Sequence, residues 1–311
     1  QRDQVVQEAR DRRERAEELW GPIYKRCRED MQFSDPTDPR QWPEDAKRER
    51  TRAARPCLTF DQTSQFVRQV INTARRNKPA LNFMPVDDKS DVRLADVLKG
   101  LAKQTEYSSR AEVAYITALD SATRGGIGWF RLCLKDMEGS DVEGQKCAEI
   151  KRVVDFETVW VDPNFTEPDG SDMGWGFVEE PMPRETFTEK WPSARAVDWD
   201  DGGWFGKDVV RVCEYFRVAE TADGKVVEHF KISGEEILEQ SIFPAEYVPL
   251  FPVLGNESWE KGKRKLGGCV RTAKDAQISY NFERNSEFEA VAVGPKAPWF
   301  APVEAIEGHE N

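Results

Sequence analysis

The stretch GCVRTAKDAQISYNFERNS, residues 268–286, decides how the C-terminal part of this sequence is interpreted. No helix breaker follows its opening glycine, so the stretch predicts a helix. A helix that packs on a dry core carries an apolar stripe, but half of the strongest face here is polar. The segment is therefore either a solvated surface helix or a helix whose polar side chains meet something other than a dry core. That face consists of Val270, Ala273, Gln277, Tyr280 or Asn281, Arg284 and Phe288.

The overall composition is that of a folded protein with much exposed or interface surface. The 311 residues are 39% hydrophobic and 33% charged, and ten Trp and seventeen Phe are too many for a disordered chain. The length suits two domains or one elongated domain.

The net charge of −12 comes from one window, because residues 136–210 contain nineteen Asp or Glu against seven Lys or Arg. Tight DNA binding needs a net basic face, so the chain as a whole is not expected to hold DNA tightly. A basic cluster precedes and opens the 268–286 helix, where the helix dipole disfavours cations. It indicates either an outside demand for positive charge or an ordinary solvated face. Its members are Lys261, Lys263, Arg264, Lys265, Arg271 and Lys274.

Cysteine and histidine usage argues against metal and disulfide sites. The six cysteines are widely spaced and form no CxxC pair, and the sequence contains only two histidines. Reduced thiols in a cytosolic setting are the simplest interpretation. No apolar run approaches the length of a membrane span. We expect the sequence to be a fragment of a longer chain.

Helical patterns precede strand patterns along the chain, and this order predicts an α+β fold. The first predicted helix can be interrupted at Gly21-Pro22, and Asp223-Gly224 predicts a hairpin turn. The predicted elements are a helix over 3–32, an irregular proline-rich link over 34–45, a helix over 62–77, a strand over 80–86, one or two helices over 90–124, antiparallel strands over 127–256 and a long helix from 267 to about 293.

The acidic loop VDPNFTEPDGSDMGW, residues 161–175, is the candidate metal site. Its carboxylates could collect a hard cation, but a calcium loop needs Gly at its sixth position and Glu at its twelfth. Counted from Asp162, those positions hold Glu167 and Met173. Turns capped by Asp and Gly fit the spacing better. The carboxylates are those of Asp162, Glu167, Asp169 and Asp172.

Other signatures of chemistry are weak. No Gly-Lys pair is followed by Ser or Thr, and GGIGW at 125–129 does not complete GxGxxG, so nucleotide hydrolysis is not expected. His229 lies in an alternating strand pattern with no nucleophile motif, which is typical of a structural histidine. Four tryptophans could form a sugar or base platform, although core or interface filling is the commoner use. They are Trp175, Trp191, Trp199 and Trp204.

Three stretches, in chain order, resemble the portal, or head-to-tail connector, proteins of short-tailed double-stranded DNA bacteriophages. The resemblance spans nearly the whole chain and is therefore stronger than one short motif. The stretches are RPCLTFDQTSQFVRQVINTARRNKPALNFMPVDD at 55–88, WVDPNFTEPDGSDMGWGFV at 160–178 and LGGCVRTAKDAQISYNFERNSEFEAVAVGPKAPWFAPVEAIEGHEN at 266–311.

The resemblance implies a ring of about twelve subunits at one capsid vertex, with a wing over 1–260, a first stem helix over 261–293 and the start of the clip over 294–311. The genome is then packaged through the ring by a separate terminase and later leaves through the tail. The implied partners are the terminase large subunit, tail adaptor proteins, the major capsid or scaffolding protein and weakly bound double-stranded DNA. The virion is assembled in the host cytoplasm, and neither a cofactor nor a membrane is implied.

The resemblance also implies site residues. The candidates that would face the DNA channel or a neighbouring stem are Arg271, Lys274, Asn281 and Arg284. The candidates for the clip surface that meets a partner are Lys296 and Trp299. On this interpretation, the polar face of the 268–286 helix is satisfied between subunits of the ring.

Two rival functions stay open beside a non-enzymatic structural role. A metal-dependent nucleic-acid-processing enzyme would use the acidic loop at 162–172, and a glycan-binding module would use the tryptophans. The shortage of carboxylates clustered with histidines disfavours the enzyme, and the long helices disfavour the glycan-binding module.

Overall fold

Helices and antiparallel strands occupy successive parts of the chain in this computed structural model, and this confirms the predicted α+β class. The structure describes residues 2–78, 81–85, 92–137, 144–194, 209–222, 224–234 and 236–293. The helices are α1 (Arg2–Phe33), α2 (Glu44–Arg52), α3 (Thr63–Arg76), α4 (Val92–Ser108), α5 (Ala111–Gly125), α6 (Arg184–Lys190) and α7 (Cys269–Val293). The strands are β1 (Ile127–Asp136), β2 (Lys146–Arg152), β3 (Val159–Val161), β4 (Trp175–Pro183), β5 (Val209–Thr221), β6 (Gly224–Ser233), β7 (Glu236–Phe243), β8 (Leu250–Leu254), β9 (Asn256–Glu260) and β10 (Lys263–Gly267).

The strands pair antiparallel in three sheets within these ranges. The largest has the order β3-β4-β5-β6-β7, the second has the order β2-β1-β8, and β9 and β10 form a separate hairpin. Thr221 lies opposite Gly224, so β5 and β6 form the hairpin that the sequence predicted. Gly224 has a φ of 126°, a conformation that a residue with a Cβ rarely adopts.

Helix α1 runs unbroken across Gly21-Pro22, where the sequence suggested an interruption. A proline inside a helix removes a backbone hydrogen bond and costs ~3 kcal/mol. Trp20 and Tyr24, on either side, are buried and donate hydrogen bonds to the backbone of β3, at 3.1 Å to the carbonyl of Val161 and 2.7 Å to that of Val159. These anchors and the burial of two large rings offset the cost of the proline.

The main core lies between α1 and the strands and is rich in aromatic rings. Phe177 stacks on Tyr215 with 4.5 Å between ring centroids. A smaller cluster joins the end of α1 to α3 and α7, and it contains Phe33, Val67, Ile71 and Val270. The start of α7 is therefore packed against other helices of the same chain.

Two predicted elements at the N-terminal side are wrong in part. Residues 81–85 of the predicted strand 80–86 form no strand, and Leu81 and Met84 are 50% and 71% exposed. A strand needs a neighbour to pair with, and an apolar run does not supply one. Helix α2 begins inside the link predicted to be irregular. Arg50 fixes this short helix by donating to the carbonyl of Pro56 and pairing with Glu289 of α7.

The long C-terminal helix begins at Cys269, not at residue 261 as the stem boundary implied. Residues 263–267 are strand β10, which pairs with β9 across a turn where Gly262 has a φ of 73°. The basic residues at 261–265 therefore lie in a hairpin ahead of the helix.

Candidate functional site

The polar face of α7 contains a buried row of three amide side chains. Gln277, Asn281 and Asn285 recur every four residues and are 4%, 0% and 0% exposed. Residues four apart lie above one another on one helix face, so the amides form a single line along the axis. We call these three residues the amide ladder.

The amide ladder binds the backbone of the extended segment at residues 58–62. Asn285 accepts from the N–H of Leu58 at 2.9 Å and donates to its carbonyl at 2.8 Å. Asn281 accepts from the N–H of Phe60 at 2.9 Å. Gln277 donates to the carbonyl of Phe60 and accepts from the N–H of Gln62, both at 2.9 Å. The helix face thus hydrogen-bonds this segment as a neighbouring strand would.

The amide ladder matches the extended segment because the spacing of its amides along the helix is close to the spacing of alternate residues along an extended chain. Four residues of α-helix advance about 6 Å, and two residues of extended chain advance about 6.6 Å. Alternate residues of the segment therefore meet successive amides of the ladder. The polar face of α7 is satisfied within the same chain at these positions, and the expectation that neighbouring subunits satisfy it is wrong for the ladder. The spacing of the amides is visible in the sequence, but its partner is about 220 residues away in the chain.

The first two candidate residues of α7 meet a buried carboxylate of α1. Asp30 is 1% exposed, and its oxygens lie 2.7 Å from the guanidinium of Arg271 and 2.5 Å from Nζ of Lys274. Arg271 also donates to the carbonyl of Leu266 at 2.6 Å. The cations at the start of the helix are therefore explained by Asp30 of the same chain.

The other candidate residues occupy different environments. Asn281 is fully buried and also donates to Gln41 at 3.2 Å, whereas the side chain of Arg284 is 45% exposed and pairs with Glu287 at 2.5 Å. Lys296 and Trp299 lie outside the described residues.

Two more members of the basic cluster make internal contacts. The guanidinium of Arg264 lies 3.9 Å from the ring centroid of Phe165 and donates to the carbonyl of that residue at 2.6 Å. Lys265 pairs with Glu260 across the β9–β10 hairpin. Arg264 of the β9–β10 hairpin therefore binds Phe165 of the acidic loop.

Three of the four carboxylates of the acidic loop cap turns of the loop itself. Asp162 accepts from the N–H of Asn164 and Asp169 from that of Ser171, both at 3.0 Å. Asp172 accepts from the N–H of Thr166 at 2.6 Å. The hydrogen bonds from Ser171 hold the pKa of Asp169 below its usual value. Among the residues that the structure describes, no group of three or more His, Cys, Asp or Glu could hold a metal ion.

The tryptophans and the strand histidine serve packing in the described ranges. Trp175 is 7% exposed, and Trp191 packs on Phe187 and donates to Glu239 at 3.0 Å. Trp199 and Trp204 lie outside the described residues. His229 stacks on Phe216 with 4.6 Å between ring centroids.

The comparison with known families matches almost the whole chain. A model described as "Phage P22-like portal protein" matches residues 10–311. The chain belongs to the P22-like phage portal protein family. The portal protein of Acyrthosiphon pisum secondary endosymbiont phage 1 is similar to it, at 24% identity over 282 residues, covering 73% of this chain and 39% of the relative. This portal chain thus spans about two fifths of the length of that curated relative.

The portal protein family is structural, not enzymatic, which fits a structural role for this chain. A place in the virion capsid and a part in DNA packaging are consistent with it. In the portal chain's described ranges, no helix is both long and apolar enough to cross a membrane.

Proposed function

We propose that this chain forms the wing and the first stem helix of a portal ring at one capsid vertex, through which the phage genome is packaged and later ejected. The observation that carries the proposal is the family match over residues 10–311. Helix α7 has 25 residues and a length of about 37 Å, which suits a stem that lines part of a channel. The wing is residues 1–260, the stem helix starts at Cys269, and the clip starts at residue 294.

The ring contains about twelve copies joined by head-to-tail contacts, because repeated rotation about one axis closes such contacts into a ring. Double-stranded DNA passes through it with weak binding. Each phosphate that a fixed cation neutralises adds affinity, and the chain carries a net charge of −12. The cations Arg271 and Lys274 are already paired with Asp30. Arg284, with its half-exposed side chain, remains the α7 candidate for contact with DNA or a neighbouring stem.

The clip and the wing bind different partners. The clip receives the terminase large subunit during packaging and tail adaptor proteins afterwards, with Lys296 and Trp299 as contact candidates. The wing meets the major capsid or scaffolding protein. The ring assembles in the host cytoplasm and remains in the virion.

The test is the assembly state of the full-length protein. Native mass spectrometry should give one closed oligomer of about twelve copies, and electron micrographs should show a ring with a central hole. A monomer at every concentration and salt would overturn the proposal. A ring in which α7 lies on the outer surface would keep the ring but remove the stem assignment.

A further inference from the structure

A groove lies where the end of α3, the end of α4 and the start of α5 meet. Its volume is about 510 Å³, and an adjoining pocket of about 290 Å³ shares most of its walls. Ala111 and Ile116 lie in the wall, beside Val113, which is 48% exposed, and Tyr107, which is 85% exposed. A tyrosine so exposed next to apolar side chains is typical of a surface that another molecule covers.

Three exposed cations lie around this groove. Arg75, Lys103 and Arg110 have no ion-pair partner among the described residues. The two acids of the lining already have partners in the same walls: Glu112 pairs with Lys78 at 2.6 Å, and Glu106 accepts from Tyr115 at 3.3 Å. With Lys78 included, four cations lie around two carboxylates, so the groove keeps an excess of positive charge. Three like charges around one concavity attract an anionic partner.

Arg110 has a backbone conformation that glycine or asparagine adopts at a lower free-energy cost. Its φ is 52° and its ψ is 44°, the left-handed region, at the start of α5. An L-residue in this region costs roughly 1–2 kcal/mol. Such strain concentrates at binding sites, and here it fixes a cation at the junction of two groove walls.

We propose that this groove docks the acidic loop, residues 162–172, of a neighbouring copy of the same chain. The proposal rests on the ring proposed above. The loop contains four carboxylates and no cation, and Glu167, Asp169 and Asp172 are exposed. It therefore offers the charge that the groove lacks.

The groove and the loop are built by different elements, so one chain can offer both surfaces at once. The loop is fastened to α1 and β10, because Phe165 stacks on Trp20 and is held by Arg264. The groove belongs to α3, α4 and α5. Two different complementary surfaces on one subunit make a head-to-tail contact, which repeats around a ring.

The apolar wall favours a protein partner over DNA. Phosphate contacts need cations, whereas a protein interface combines an apolar core with a charged rim. Tyr107 and Val113 supply the apolar part, and Arg75, Lys103 and Arg110 supply the rim.

The test is a charge exchange in the full-length protein. The groove variant carries Arg75→Glu, Lys103→Glu and Arg110→Glu, and the loop variant carries Glu167→Lys and Asp169→Lys. Each variant alone should need at least tenfold more protein to assemble, because like charges then meet at every contact. An equimolar mixture should recover assembly with the two variants alternating, as native mass spectrometry would resolve.

The matched control reverses the charge of three exposed cations of α1 and should assemble as the unmodified protein does. Its substitutions are Arg15→Glu, Lys25→Glu and Arg26→Glu.

The outcomes separate the docking proposal from the ring. Rings formed normally by the groove variant, whether or not it binds DNA less well, would overturn the docking proposal and leave the ring intact. Two defective variants that the mixture does not rescue would overturn the loop as the occupant. A monomeric unmodified protein would overturn both. If the variants misfold, the salt dependence of assembly of the unmodified protein tests the proposal instead. Assembly must weaken between 0.1 M and 0.5 M salt, roughly the range over which exposed charges become screened. Assembly that ignores salt would also overturn the proposal.

Discussion

The five-stranded sheet and helix α7 are both fixed in the molecule, but by opposite chemistry. The sheet buries rings such as Phe177 and Tyr215, both fully buried. Helix α7 buries Gln277, Asn281 and Asn285, equally shielded from water but each bonded to backbone groups of residues 58–62. A helix without an apolar stripe can thus be a core element if its polar atoms are all paired.

The two modes differ in how strictly they define position. Apolar burial is non-directional and tolerates small shifts of one ring over another. Hydrogen bonds weaken steeply with angle, so the ladder accepts residues 58–62 in one register. The sheet region should therefore supply most of the stability, and the ladder most of the registry.

The largest effect is expected from the sheet. Phe177→Ala should lower the free energy of unfolding by about 3–5 kcal/mol, because the ring is lost and a cavity remains beside Tyr215. Urea unfolding followed by tryptophan fluorescence measures this. Val154→Ala, at a position 71% exposed, is the control and should change stability by less than about 0.5 kcal/mol. Equal losses in both variants would remove the sheet as the main source of stability.

A substitution in the amide ladder should cost less stability than one in the sheet, and its effect should be confined to the residues around the ladder. Asn281→Ala should lower the free energy of unfolding by about 2–3 kcal/mol, because the N–H of Phe60 and the side-chain carbonyl of Gln41 lose their partner. Hydrogen exchange should quicken at Leu58, Phe60 and Gln62 before it changes in the sheet. Asn281→Leu tests the chemistry by keeping the bulk. Unchanged stability in that variant would mean that packing, not hydrogen bonding, holds α7.

The sheet also carries a charge whose effect depends on pH. Burial opposes ionisation of Glu214, but His229 and Lys231 on the neighbouring strand β6 and Arg131 on β1 of the second sheet lower the pKa of its carboxyl to about 2. A folded pKa below the ordinary value stabilises the protein above about pH 4.5, and this contribution is lost as the pH falls towards 2. Glu214→Gln should therefore cost about 3 kcal/mol at pH 7 and converge with the unmodified protein near pH 2. Thermal unfolding across this range measures it, and a constant difference at every pH would contradict it.

The smallest effect is expected at Arg284, one turn from Asn281 on an exposed face of α7. Arg284→Ala removes a pair with Glu287 whose partners are 45% and 63% exposed, and such pairs contribute little. The denaturation midpoint should not move measurably. A midpoint shift as large as that of Asn281→Ala would show that the exposed and buried positions of α7 do not differ as described.

The sequence predicts elements well where periodicity and local signals agree. The α+β class, a helix over most of 62–77 and the β5–β6 hairpin follow from patterns within a few residues. Prediction fails where distant contacts decide. Arg50 fixes α2 through Glu289, 239 residues away, and the apolar residues 81–85 lack the partner strand that their pattern presupposes.

The candidate residues show the same limit. The sequence predicted that α7 is unusual and that Arg271, Lys274 and Asn281 find their partners in the DNA channel or on a neighbouring stem. It could not identify Asp30 and residues 58–62 as those partners, because a lone aspartate and an extended segment carry no local signal for a contact. The groove residues were not singled out, since Arg75, Lys103 and Arg110 come together only when α3, α4 and α5 meet.

The amide ladder also has a mechanical consequence. Its direct hydrogen bonds to residues 58–62 run side by side between α7 and the extended segment. A force along the helix axis therefore loads them in shear, all together, whereas a force at one end of the segment would peel them apart one at a time. Because the ladder contacts only the backbone at 58, 60 and 62, its own hydrogen bonds do not depend on the side chains there, provided that each residue keeps its N–H, which excludes proline.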